Sequence, residues 1–77
     1  VEHLINGKDY LENDYDRAIA EFTEAIKINL EFAKAYFYRA VAYSKKGKCQ
    51  LAIKNYTKAI EINPEFYKAY NNRGLVF

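Results

Sequence analysis

What most constrains this chain is that it is written twice: the stretch 18–39 returns 34 residues later as 52–73. At that offset Ala18, Ile19, Thr23, Ala25, Ile26, Ile28, Asn29, Glu31, Phe32, Lys34, Ala35, Tyr36 and Arg39 each meet the same residue type. Such dense identity at one fixed offset marks a repeat array. In an array each unit is a supersecondary element that cannot bury its apolar face alone and therefore stacks on its neighbours. Function is then expected on a surface, not in a catalytic pocket.

Within the unit the apolar residues keep helical spacing. Over 15–29, Ala18, Phe22, Ala25 and Ile26 fall at i, i+4, i+7 and i+8, with Ile19 widening the stripe and Glu21, Glu24 and Lys27 off it. Asp14 stands at the N-cap, where a carboxylate accepts from free backbone N–H groups. Over 32–46, Tyr36, Ala40 and Tyr43 repeat a large, small, large pattern, and Gly47 suits a left-handed cap. Over 49–62, Ala52, Tyr56, Ala59 and Ile60 copy the earlier stripe. There the N-cap position holds Lys48, which accepts no hydrogen bond and carries the wrong charge, so this helix should start weakly. Pro64 turns the chain at Asn63. A last helix begins near 66, with Tyr70, Gly74 and Phe77 on one face, and a first helix over 1–12 carries Leu4, Ile5 and Leu11. The expectation is an all-α protein of about five antiparallel helices, two pairs and one extra. It forms a single domain over 1–77: a first repeat at 1–30, a second at 31–64, and the first helix of a third at 65–77.

Composition narrows the function classes. A chain of 77 residues holds one small core, worth only ~3–5 kcal/mol of stability at this size. Aromatic content is high at 17%, mostly from eight tyrosines, which pack an apolar ring while keeping a polar tip near water. Net charge is +2, and Lys and Arg alternate with Asp and Glu instead of gathering in a basic patch, so nucleic acid is not the expected partner. The single Cys49 excludes an internal disulfide framework and is compatible with a reducing, cytoplasmic setting. No apolar run approaches the ~20 residues of a membrane span. The absent Met and the end at Phe77 suggest a piece of a longer chain.

Taken together, Tyr36, Arg39-Ala40, Tyr43, Ala52, Tyr56, Ala59 and Pro64 resemble the tetratricopeptide repeat, a 34-residue helix-turn-helix unit. The resemblance spans nearly the whole chain. The first copy departs from the pattern in having Leu30 where Pro is usual, and its 7–14 segment is one residue short. The resemblance implies antiparallel helix pairs stacked into a right-handed superhelix whose concave face, built from the first helix of each pair, binds a peptide or helix of a partner protein. Carried over by position, that face contains Lys34, Phe37, Tyr38, Val41, Ser44 and Lys45, then Lys68, Asn71, Asn72 and Leu75. Leu4, Lys8 and Leu11 join it if Gly7 aligns with Gly74. One subclass holds the C-terminal carboxylate of chaperone tails with two Lys, two Asn and an Arg. Here only Lys68 of that set is present, because Leu4, Lys8, Tyr38 and Asn72 stand at the other positions. Convergent charged donors for a carboxylate are therefore missing.

Blander readings compete at several residues. Lys34 and Lys68 lie at equivalent positions and suit an anionic peptide, yet repeat copying alone also explains them. Phe37 and Tyr38 either line a groove or pack on a neighbouring helix. Arg39 and Arg73 are expected to lay their stems along apolar surface with the head at water. Cys49 is expected to fill a gap as a small apolar thiol. Catalysis has no constellation to support it: one His and one Cys complete no metal-ligand set, and no cofactor is expected. Glu24 and Lys27 face Lys58 and Glu61 at equivalent sites, which favours stacking in register. A second functional class is a self-assembling segment that associates through its terminal helices, since Leu75, Val76 and Phe77 close a helix with apolar side chains.

Overall fold

A computed structural model describes residues 14–76. Among them are four helices and no strand: α1 (Tyr15–Ile28), α2 (Ala33–Lys45), α3 (Cys49–Ile62) and α4 (Tyr67–Val76). The helix expected over 1–12 lies outside the described residues, with Leu4, Lys8 and Leu11. Each helix packs on the next in sequence, α2 on α3 most extensively. The connections 29–32, 46–48 and 63–66 are short enough to make neighbours antiparallel.

Local chemistry sets the boundaries. Asp14 is extended (φ −152°) and its carboxylate accepts from the Arg17 amide at 3.1 Å, which caps α1. Gly47, at φ +78°, ends α2. The Lys48 amide reaches the Tyr43 carbonyl at 2.9 Å and the Gly47 amide reaches that of Ser44 at 3.0 Å, the paired bonds of a left-handed helix stop. Lys48 makes no side-chain cap for α3, as its chemistry requires. The two inter-repeat turns are copies of one another. The Asn29 side-chain oxygen accepts from the Glu31 amide at 3.0 Å, and Asn63 accepts from Glu65 at 3.1 Å. Leu30 sits in the first turn where Pro64 sits in the second, and the hydrogen bonds are unchanged.

Packing follows the repeat. On α1 the buried residues are Ala18, Phe22, Ala25 and Ile26, the stripe expected from spacing. Ala18, Ala35, Ala40, Ala42, Ala52, Ala59 and Ala69 are fully inaccessible and let the helices approach closely. A larger side chain at one of them would overpack the contact by ~1–3 kcal/mol. On α2 the expected stripe is fully buried only at Ala40, with Tyr36 and Tyr43 half-buried, and the buried set is Ala35, Phe37, Ala40 and Ala42, because α1 and α3 cover the helix on two sides.

Candidate functional site

On α2, Val41, Ser44 and Lys45 fall at i, i+3 and i+4, and Asn72, Leu75 and Val76 do the same on α4, so each trio shares one helix face. The structure brings the two trios together. They line a groove of about 280 Å³ whose remaining wall is Tyr56 of α3. Tyr56 is 2% exposed, and Asn72 hydrogen-bonds its side chain. Burial pushes the Tyr56 phenol above its ordinary pKa of 10.0, with the Asn72 bond opposing, so the hydroxyl remains protonated near neutrality. The groove thus offers apolar walls in Val41, Leu75 and Val76, one exposed ammonium in Lys45, and the neutral polar groups of Ser44 and Asn72. That set suits an extended segment with an apolar side chain and an acidic or carbonyl acceptor nearby.

Of the residues expected on the concave face, Val41, Ser44, Lys45, Asn72 and Leu75 converge here. Asn71, Lys34 and Lys68 are exposed but outside this lining. Lys34 lies seven positions before Val41 on the same helix, about 10 Å along the axis. Phe37 requires correction. It is only 7% exposed, stacks on Phe66 at 4.9 Å and meets Tyr56 edge-on at 5.7 Å. It packs the core because α2 is covered on two sides and its buried arc extends past a single stripe. Tyr38 is half-buried and stacks on Phe22 of α1 at 5.7 Å.

Two further expectations change. The head of half-buried Arg39 is held by protein partners: its Nε donates to Asn55 Oδ1 at 2.7 Å and its Nη1 to Thr23 Oγ1 at 3.2 Å, which ties α2 to both flanking helices. The polar partners lie on neighbouring helices, so an account based on the stem's own helix misses them. Cys49 is exposed at the first position of α3 and fills no gap. Glu24 bonds Lys27 within α1 at 3.0 Å. Sequence reasoning missed Tyr56 as a groove wall. Its signal was the hydroxyl it carries where the first repeat has Phe22.

Comparison with known families decides the identity. The family model described as tetratricopeptide repeat matches residues 33–66, and one described as TPR repeat matches 8–47, more than half the chain. The chain belongs to the tetratricopeptide-repeat family. The first match runs from the start of α2 to the residue before α4, so it contains one helix pair of this TPR protein with its turns. No curated protein matches it at a significant level. TPR units are in general protein–protein interaction modules and non-enzymatic scaffolds. Among the described residues of the TPR chain no three His, Cys, Asp or Glu side chains gather as metal ligands, and no helix is long and apolar enough to cross a membrane.

Proposed function

We propose that this TPR segment is an adaptor that holds a peptide or helix of a partner protein in the groove between α2 and α4. The observation that carries the reading is the convergence of Val41, Ser44 and Lys45 with Asn72 and Leu75 over Tyr56. Lys34, Lys68 and Asn71 extend the same reading as outlying contacts, and Tyr38 as a half-buried edge. Phe37 acts on the groove only by packing behind it. An amide-shift map of the labelled protein during titration with a pooled peptide library tests this. Shifts should cluster at Val41, Ser44, Lys45, Asn72 and Leu75, and L75S combined with K45E should weaken binding about tenfold or more. A shift pattern that avoids these residues, or affinity unchanged in the double variant, removes the groove from the account.

A second reading is favoured by α4 itself. Leu75 is 83% exposed and Tyr67 69%, apolar area that suits association through α4.

A further inference from the structure

The sequence alternates its charges, but the fold sorts them. Among the described residues every carboxylate lies on α1, at its cap, on α3 or in a turn, and α2 and α4 carry cations alone: Lys34, Arg39 and Lys45, then Lys68 and Arg73. The two arginines are turned to Thr23 of α1 and Thr57 of α3. The three lysines are exposed. Glu31 and Glu65 stand three positions before Lys34 and Lys68, yet among the described residues none of the three lysines forms an ion pair. Lys46, next to Lys45, is held by Asp16.

These lysines flank the groove in register. On α2, Lys34, Val41 and Lys45 are separated by seven and then four positions, which places them within about 40° of one another around the helix, about 10 Å and then about 6 Å apart along its axis. On α4, Lys68 precedes Leu75 by the same seven positions. Both helices run antiparallel to α3 and so parallel to each other. Lys34 and Lys68 therefore stand at one end of the groove and Lys45 at the other, with Val41, Asn72 and Leu75 between them. An extended chain advances about 3.3 Å per residue, so three residues cover the longer interval and two the shorter.

We infer that the groove takes an extended acidic segment of a partner protein, reading acidic, acidic, spacer, apolar, spacer, acidic. This rests on the groove reading and names the chemistry of the segment held. The adjacent acids point to opposite sides of an extended chain, one toward Lys34 and the other toward Lys68. The apolar side chain enters between Val41 and Leu75, and the last acid meets Lys45. Side-chain carboxylates suffice, so the segment need not be a chain terminus. An oligonucleotide also seeks cations, but it binds by stacking its bases on exposed rings. Here Phe37 is stacked on Phe66, Tyr38 on Phe22, and Tyr56 is buried, so complementarity favours a peptide.

Amide-shift titration of the labelled whole chain tests it, with the peptide Asp-Glu-Ser-Leu-Ser-Glu acetylated and amidated so that no terminal carboxylate is present. The reversed sequence, a version with Asn and Gln for the acids, and decathymidylate are titrated beside it. The acidic peptide, in one of its two directions, should shift Val41, Ser44, Lys45, Asn72 and Leu75. It should bind about tenfold tighter than the amide version at low salt, the difference shrinking as salt screens the charges. Lys45→Gln should weaken the acidic peptide about threefold and leave the amide version unchanged, a split that a folding defect would not produce. Equal binding of the acidic and amide peptides at these residues overturns the acidic inference and leaves the groove reading standing. Peptide shifts confined to other residues overturn both. No binding of any peptide at millimolar concentration overturns this inference, and the pooled library then decides the groove. Decathymidylate held more tightly at these residues makes nucleic acid the occupant, and shifts of the same residues on dilution alone make it a second copy; either result overturns the inference.

Discussion

Arg39 joins three helices through one charged side chain. Its guanidinium satisfies Asn55, which is only 6% exposed, while its plane covers Tyr36. Removing it leaves the Asn55 oxygen without that donor, and an unsatisfied buried acceptor costs about 1–3 kcal/mol. Arg39→Leu should therefore lower unfolding free energy by about that amount in denaturant titration. Arg73→Leu, which removes the bond to Thr57 and the contact over the Tyr70 ring but strands no buried amide, should cost only about 0.5–1.5 kcal/mol. Equal losses would show that the Asn55 bond is not what makes Arg39 important. That both arginines matter was legible in the sequence, since each copy keeps the same Thr and Arg sixteen positions apart. Their partners were not, because the bonds cross between helices whose relative rotation only packing sets. Phe37 failed for the same reason: spacing along α2 shows one stripe, and the second neighbour that buries it is a property of the stack.

The helices themselves were readable because their ends carry local chemistry. Asp14, Gly47 and Pro64 place boundaries within about a residue of those observed, and the span 49–62 coincides with α3. Capping also shows where the chain is poorly served. Asp14 accepts a hydrogen bond at the start of α1, whereas Lys48 at the matching position accepts none and sets a positive charge on the positive end of α3. Lys48→Asp should stabilise the protein by ~1 kcal/mol, raising the thermal midpoint by about 4–8 °C for a domain of this size. The Lys48 amide that closes α2 is a backbone group and survives the change. No rise in the midpoint would mean that residue 48, at φ −91° and ψ 68°, does not reach the extended geometry a cap needs.

At the scale of the molecule, stability in a stack belongs to neighbouring pairs rather than to one centre. α2 and α3 are each covered on two sides by described helices, while α4 touches only α3 extensively and buries Ala69 alone. In dilute solution α4 amides should exchange hydrogen fastest among the four helices and those around Ala40 and Ala59 slowest. Uniform protection would show that the stack opens as one unit. The order of the stack was legible from the 34-residue echo. The groove was legible in part: Val41, Lys45, Asn72 and Leu75 come from its register, but Tyr56 enters through the depth of α3, which no linear pattern records. The two Asn-centred turns have a consequence for how such a chain is inherited. Because Asn29 and Asn63 bend the backbone alike with Leu30 or Pro64 beside them, a misaligned crossover between the two coding copies joins one unit to the next through an unaltered elbow. The gene can therefore lengthen or shorten by whole units, and selection acts on the number of units without having to repair the hinge between them.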